Sequence, residues 1–217
     1  MSTVKDIVIV GAGGLGREVF ATIEACNCEQ KQWNVIGFLE SDRNLIGSKV
    51  SGVMVFGKDQ CLDDSVWFVC AIGDPRIRCR IAKEFAEQGR RFASILHPDV
   101  RIPRSLRIGD GTVVMAGTQF TTDVSIGSHV IIYINCGITH DVDIGDFCMI
   151  AGGCNLSGGV ILETGVQLGT AASVLPRRRI GAWTTIGAGS VVAKDIPANC
   201  TAYGVPCRVT EGRIMEK

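Results

Sequence analysis

The segment "NCGITHDVDIGD", residues 135–146, contains one of only three histidines in the sequence, and an aspartate follows it directly. An imidazole can take a proton from an amine or a hydroxyl near neutral pH. A neighbouring carboxylate stabilises the imidazolium that forms and can fix the tautomer of the ring. His140 and Asp141 therefore have the chemistry of a general base, although a histidine in a repetitive sequence can equally be an ordinary surface residue.

A second group of residues could bind a phosphate. The apolar segment "DIVIV" runs into "GAGGLG", residues 11–16, and a helical pattern follows. Glycines between a strand and a helix let the backbone approach a diphosphate, and the helix N-terminus stabilises its charge. The next strand, "VIGFLE", ends at Glu40, whose carboxylate could accept ribose hydroxyls. A merely tight strand–helix turn is the alternative.

The α/β pattern continues for only a short distance. A third predicted strand, "VWFVCAIGD", ends at Gly73-Asp74 and runs into the predicted helix "PRIRCRIAKEFAEQG", and the α/β segment ends near Phe92. A complete dinucleotide fold needs a second mononucleotide-binding half, which is missing here. The sequence therefore predicts a half-Rossmann domain, residues 1–95, suited to one nucleotide rather than to NAD.

The second half of the chain has a period of six. Every sixth residue from Ile102 to Val192 is apolar, and Ile-Gly pairs recur at intervals of eighteen, as at Ile126-Gly127 and Ile144-Gly145. This spacing fits a short strand and a corner, repeated three times in each coil. It predicts a parallel β-helix over about 102–196, within a second domain, residues 96–217.

A weaker track of small or β-branched residues accompanies the aliphatic one. It includes Cys136, Cys148 and Cys154, which we expect to be small core residues. No Cys-x-x-Cys pair occurs, so the sequence gives no support for zinc, and no metal site is predicted.

Composition narrows the classes of partner. The 22 basic and 22 acidic residues cancel, so no basic surface predicts binding to nucleic acid or to a membrane. The N-terminal segment lacks the pattern of a signal peptide, and ten cysteines in a chain with an ordinary core are more typical of reduced thiols. We expect a cytoplasmic protein.

The combination of these features resembles a known family. A strand–GAGGLG–helix half-domain joined to hexapeptide repeats, with the ending "VVAKDIPANCTAYGVPCRV", is similar to the bacterial acetyltransferases that modify nucleotide-linked amino sugars or sialic acid. The resemblance implies a left-handed β-helix, a homotrimer, and acetyl-CoA in the groove between neighbouring chains. It also implies that the half-domain holds the nucleotide of the acceptor sugar.

The resemblance assigns roles to particular residues. The catalytic histidine of the family maps onto His140 and the acid that follows it onto Asp141, with direct transfer to the thioester and no acyl-enzyme. The glycine turn at Gly158 is our candidate for the backbone donor to the oxyanion. The family's nucleotide-sugar contacts map onto Gly13, Gly14, Leu15, Glu40, Ser41 and Gly73. Its CoA contacts map onto Met149, Thr170 and Ala188.

Several alternatives stay open at this point. N-acetylation of a nucleotide-linked amino sugar and O-acetylation of sialic acid or a related sugar need the same base. Many relatives carry histidine where Leu15 and Met149 stand, which also allows a catalytically silent nucleotide-binding scaffold. A β-helix anhydrase is disfavoured because only His129 and His140 lie in the coils. An NAD-linked oxidoreductase is disfavoured because the β-helix supplies no partner for a nicotinamide.

Overall fold

The first part of the chain alternates strands and helices. The computed structural model describes residues 4–58, 60 and 62–210. The elements of this part are β1 (Lys5–Val10), α1 (Gly14–Glu29), β2 (Trp33–Glu40), β3 (Lys49–Val50), β4 (Val53–Gly57), β5 (Trp67–Cys70), α2 (Pro75–Glu87) and β6 (Arg91–Phe92).

These strands form one sheet with a helix on each face. The strand order is β3-β4-β2-β1-β5-β6, and every pairing is parallel except that of β3 with β4. In the central strand β1, Ile7 and Ile9 pack towards α1 while Val8 packs towards α2, because successive side chains of a strand point to opposite faces. The short strands β3, β4 and β6 were not predicted.

The second part is a series of two-residue strands. They are β7 (Ile95–Leu96), β8 (Arg107–Ile108), β9 (Val113–Val114), β10 (Gln119–Phe120), β11 (Ser125–Ile126), β12 (Ile131–Ile132), β13 (Gly137–Ile138), β14 (Asp143–Ile144), β15 (Met149–Ile150), β16 (Asn155–Leu156), β17 (Ile161–Leu162), β18 (Gln167–Leu168), β19 (Ser173–Val174), β20 (Arg179–Ile180), β21 (Thr185–Ile186) and β22 (Val191–Val192). Two longer strands close the series, β23 (Thr201–Gly204) and β24 (Cys207–Val209).

The short strands wind into a three-sided prism, as the period of six predicts. Each strand from β8 to β22 pairs in parallel with the strand one coil away, for example Ile126 with Ile144. The strands fall into three sheets, ordered β10-β13-β16-β19-β22, β20-β17-β14-β11-β8 and β24-β23-β21-β18-β15-β12-β9-β7. The aliphatic residues of the repeat fill the interior. Ile102, the first position of the series, is wrongly predicted: it is 63% exposed, since its sheet begins only with β10.

Small polar residues of the weaker track donate hydrogen bonds to backbone carbonyls at the corners of the prism. The hydroxyl of Thr112 donates to the carbonyl of Gly127 at 2.9 Å, and the thiol of Cys148 donates to the carbonyl of Glu163 at 3.1 Å. Burial raises the pKa of Cys148 and Cys154 to about 12, so both remain thiols at neutral pH. The prediction that these cysteines belong to the core is confirmed.

The α/β part packs on one face of the prism. Val19 and Ile23 of α1 share a buried cluster with Val113, Ile131 and Met149, which lie on the sheet that contains β9, β12 and β15. We call this sheet the docking face. In a three-sided prism, the corner where the other two sheets meet lies opposite to it, and β13 passes into β14 at that corner.

None of the helices among the described residues is both long and apolar enough to cross a membrane.

Candidate active site

His140 and Asp141 form a side-chain pair on the corner between β13 and β14. The Nδ1 atom of His140 lies 2.8 Å from Oδ2 of Asp141, and the two side chains are 61% and 66% exposed. Asp141 takes a left-handed backbone conformation with a φ of 59°, which tightens the corner. No described residue hydrogen-bonds to Nε2 of His140, so that nitrogen is open to a substrate.

Gly158 lies beside this imidazole, one coil further along. A Cβ atom at Gly158 would be 2.5 Å from Nε2 of His140, so only glycine leaves the ring in its place. The carbonyl of Gly158 accepts a hydrogen bond from the N–H of Arg177 at 2.9 Å, whereas its own N–H has no partner among the described backbone groups. The structure thus brings together the three residues predicted for catalysis.

The glycine turn after β1 is held open by Glu40. Oε2 of Glu40 accepts from the N–H of Ala12 at 3.0 Å, and Oε1 accepts from the N–H of Ser41 at 2.7 Å. Burial acts to raise the pKa of Glu40, but these bonds and a weaker one from Asp42 outweigh it, so the pKa lies below its ordinary value. Gly11 has a φ of 103°, and a side chain there would also press on Ala71. Sequence reasoning gave Glu40 a role towards ribose and missed this role in shaping the turn.

The N-terminus of α1 is unobstructed. Apart from the adjacent backbone, no heavy atom of the described residues lies within 4 Å of the position that a Cβ would take at Gly13 or at Gly14. The first turn of α1 contains no acidic residue, and Gly13 at the N-cap has no side chain to occupy the backbone N–H groups. These N–H groups can therefore bind an anion. The half-buried side chain of Leu15 packs against the cluster at the docking face.

A cavity of about 240 Å³ adjoins the end of β2 on the α2 side of the sheet. Glu40 and Ser41 lie at this cavity together with Gly11. Its apolar lining includes Leu39, Phe68, Ile81 and Phe85, and its charged lining includes Lys58, Arg80, Glu84 and Arg90. The cavity and the α1 N-terminus together can accommodate an elongated, charged ligand with an apolar ring.

Gly73 and Met149 meet where the α/β part contacts the docking face. The Cε atom of Met149 lies 4.0 Å from the position of a Cβ at Gly73, and Met149 is 9% exposed. Thr170 and Ala188 lie on neighbouring coils at one of the two corners that border the docking face, where the carbonyl of Thr170 accepts from the N–H of Gly189 at 2.8 Å. Within one chain, these residues are separated from His140 by whole faces of the prism.

A buried arginine was missed by sequence reasoning. Arg78 on α2 is 0% exposed and hydrogen-bonds to backbone carbonyls of both parts of the chain, including those of Gly73 and Cys148. A signal was present in the sequence, because Arg78 falls on the same helical stripe as Pro75, Ile81 and Ala82, which are all buried.

The candidate site holds no evident place for a metal ion. Across the described ranges there is no group of three or more His, Cys, Asp or Glu side chains that could ligate one. His129 instead packs between aromatic rings, with its ring centroid 4.6 Å from that of Phe92 and 5.2 Å from that of Phe147.

Comparison with known proteins decides the family. Residues 6–85 match the family described as the PglD N-terminal domain. GDP-perosamine N-acetyltransferase of Escherichia coli O157:H7 is 31% identical over 210 residues, which are 92% of this chain and 94% of that protein. The chain belongs to the bacterial nucleotide-sugar acetyltransferases of the hexapeptide-repeat β-helix family. The predicted fold class, a half-Rossmann part followed by a left-handed parallel β-helix, is confirmed.

Solved structures of this acetyltransferase family match over nearly the whole chain. PerB from Caulobacter crescentus, in complex with CoA and GDP-perosamine, is 31% identical with a TM-score of 0.86, and the match covers 97% of this chain and 99% of that one. That protein has also been solved with one histidine replaced by asparagine or alanine, again with both ligands. The acetyltransferase domain of PglB from Neisseria gonorrhoeae FA1090, in complex with acetyl coenzyme A, is 29% identical with a TM-score of 0.87 and covers 96% of this chain and 100% of that one.

Proposed function

We propose that this protein transfers the acetyl group of acetyl-CoA directly to the amino group of a nucleotide-linked amino sugar. The observation that carries the proposal is the exposed His140–Asp141 pair, with Nδ1 2.8 Å from the carboxylate. It lies beside the N–H of Gly158, which has no hydrogen-bond partner among the described residues. The ligands of PerB and PglB, CoA with GDP-perosamine and acetyl coenzyme A, support both the donor and the class of acceptor.

The three catalytic residues divide the reaction between them. Nε2 of His140 takes a proton from the sugar amine as its nitrogen attacks the thioester carbonyl, so no acyl-enzyme forms. The carboxylate of Asp141 accepts a hydrogen bond from the Nδ1–H group of His140 and stabilises the imidazolium. The N–H of Gly158 donates to the oxyanion of the tetrahedral intermediate. Collapse of that intermediate breaks the C–S bond, and the imidazolium returns its proton to the departing thiolate of CoA.

The acceptor is held by the α/β part. The open N–H groups at Gly13, Gly14 and Leu15 bind the diphosphate, because a helix N-terminus stabilises negative charge. Glu40 accepts hydrogen bonds from the ribose hydroxyls and Ser41 donates to them. Oε2 of Glu40 is the oxygen suited to this, because among the described residues it accepts only from Ala12 and has a second lone pair. The nucleobase enters the adjoining cavity, and the amino sugar extends past Gly73.

More than one copy of the chain is required to bring the acceptor sugar, acetyl-CoA and His140 together. Gly73 and Met149 lie at the docking face, while His140 lies on the opposite corner of the same prism. A sugar held by one copy can therefore reach only the His140 of a neighbour, as a closed homotrimer would allow. Acetyl-CoA then lies between two prisms, against Met149 and against the backbone at Thr170 and Ala188.

The proposal extends to the organisation and location of the protein. Residues 1–95 form the nucleotide-sugar domain and residues 96–217 the acyltransferase domain with a C-terminal CoA-binding tail, of which residues 211–217 lie outside the described residues. Ile95 is the first residue of β7 and pairs with Val113 of the docking face, which favours a boundary one residue earlier than this. The cysteines of the described residues are all free thiols, which is typical of a reducing compartment and favours the cytoplasm.

The test is release of CoA thiol from acetyl-CoA in the presence of GDP-, UDP- and dTDP-linked amino sugars and of free sialic acid. We expect turnover with one class of nucleotide amino sugar, and mass spectrometry of the product should show an acetamide. Turnover with sialic acid alone would replace the proposal by O-acetylation. Nucleotide binding without any turnover would replace it by a catalytically silent scaffold.

A further inference from the structure

Arg78 is a buried cation whose partners are all backbone carbonyls. It is 0% exposed, and no carboxylate of the described residues lies within ion-pair distance of it. Burial lowers its pKa to about 10, so the guanidinium stays protonated at neutral pH. A buried charge needs full hydrogen bonding to be tolerated, and a guanidinium has five N–H donors in a fixed plane.

All five donors are used, and they join the two parts of the chain. On the α/β side, the Nη1 group donates to the carbonyls of Ile72 and of Gly73. On the prism side, Nε donates to the carbonyl of His129 at 2.8 Å, and the Nη2 group donates to those of Phe147 and Cys148 at 2.6 Å and 3.0 Å. One planar group thus fixes a loop of the α/β part against two successive coils.

The residues held by Arg78 adjoin both proposed substrates. Gly73 is a proposed contact of the acceptor sugar, and Cys148 directly precedes Met149, a proposed contact of the donor. Met149 Cε approaches within 4.0 Å of the position of a Cβ at Gly73, so the two backbone segments define one narrow space. The rigid, planar guanidinium of Arg78 sets the separation of these two backbone segments.

We propose that Arg78 is a positioning residue for acetyl transfer, which sets the distance between the acceptor loop at Ile72–Gly73 and the coil that carries Met149. This inference rests on the proposed function, and it goes beyond it because Arg78 touches neither substrate. A misplacement of reacting groups by about 1 Å can cost on the order of 10² in rate. Lysine cannot replace the planar guanidinium, since its ammonium group offers three donors from a single point.

Arg76 offers a matched control on the same helix. Its guanidinium lies 4.9 Å from the ring centroid of Trp183 and its Nη2 atom 3.5 Å from Oδ1 of Asn199, so it also joins α2 to the prism. Among the described residues, the Arg76 guanidinium makes no hydrogen bond to Gly73 or to the coil of Met149. Arg76→Lys therefore tests what loosening the junction does by itself.

The experiment compares R78K and R76K by steady-state kinetics and by calorimetric titration with GDP and UDP. In R78K we expect kcat at saturating substrates to fall by about 10–100-fold. We also expect nucleotide to bind at unchanged stoichiometry but with affinity weaker by about fivefold or more. R76K should keep both values within about twofold. A solely structural Arg78 would lower the unfolding temperature and leave kcat and affinity as in the wild type, which would overturn the proposal.

Two further outcomes are decisive. If R78K does not fold, R78Q is compared with R76K instead, because glutamine adds no buried charge. Loss of folding in both R78K and R78Q would assign Arg78 to folding alone and overturn the proposal. If the wild-type protein binds nucleotide but transfers no acetyl group, the proposed function fails, and the titration still decides whether Arg78 positions the acceptor loop.

Discussion

The imidazole of His140 lies against the backbone of Gly158 so closely that a Cβ atom at Gly158 would overlap the ring. This relationship makes a test possible at two positions. His140→Ala should lower kcat by roughly 10²–10⁴ while changing the free energy of unfolding by less than about 0.5 kcal/mol, because the side chain is exposed. Gly158→Ala should displace the ring and lower kcat by at least about tenfold. Thiol release and thermal unfolding measure the two effects, and wild-type turnover in both variants would remove His140 from the mechanism.

Asp141 can be tested against a residue in an equivalent place. Asp123 occupies the same corner one coil earlier, with a φ of 55° against 59° at Asp141, but it adjoins Thr122 rather than a histidine. Asparagine tolerates the left-handed conformation, so Asp141→Asn and Asp123→Asn should both fold normally. We expect only Asp141→Asn to lower kcat/KM near neutral pH, because it alone removes the carboxylate from Nδ1. Equal activities of the two variants would contradict the assigned role.

The open N-terminus of α1 predicts opposite effects on stability and on binding. Gly14→Asp puts a carboxylate in the first turn, which should stabilise the helix by about 0.3–1 kcal/mol through its dipole. The same charge lies where the diphosphate would bind and should abolish nucleotide binding in a calorimetric titration. Gly14→Ala is the control, since it also stabilises the helix by about 0.5–1 kcal/mol but adds no charge. Nucleotide binding by Gly14→Asp at wild-type affinity would place the diphosphate elsewhere.

The separation of the proposed acceptor site from His140 within one chain predicts complementation between two inactive variants. A mixed assembly of His140→Ala and Gly14→Asp chains contains junctions where an intact α/β part faces an intact His140. With random assembly from equal amounts, about a quarter of the junctions should be complete, so activity should recover to about a quarter of the wild-type value. Co-refolding followed by thiol release measures this. No recovery in mixed assemblies would show that each site is built from a single chain.

His129 predicts how the free energy of unfolding depends on pH. Burial, with a smaller effect from the Arg78 cation, lowers the pKa of His129 below its ordinary value of 6.5. As the pH falls below 6.5, the unfolded chain binds a proton that the folded chain does not, so stability decreases until the lowered pKa is reached. Urea unfolding between about pH 5 and pH 8 should show this decrease. It should be smaller in His129→Phe, which keeps an aromatic ring at the position, and an unchanged pH profile in that variant would contradict the assignment.

The repeat and the glycine turn could be predicted from the sequence because each depends on local spacing. A residue such as Ile144 meets its partner Leu162 one coil away, and the period of six contains that contact. The contacts of Arg78 cannot be predicted in this way, because His129 and Cys148 are 51 and 70 residues distant and depend on how the two parts dock. The pairing of Gly73 with Met149 depends on the same docking. Ile102 shows the opposite error, since a periodic position lies outside the prism when its sheet has not yet begun.

The unbroken spacing of the coils also limits how this protein can change in length. From Arg107 to Val192 each strand pairs with the residue eighteen positions away, and no loop interrupts the winding. A residue inserted within one of these strands would put its side chains out of register with the coils on either side, whereas the gain or loss of a whole coil would leave the stack continuous. A complete coil is therefore the unit by which the regular part of the prism can lengthen or shorten without loss of register, and each such step moves the C-terminal strands along its axis without altering the corner that carries His140.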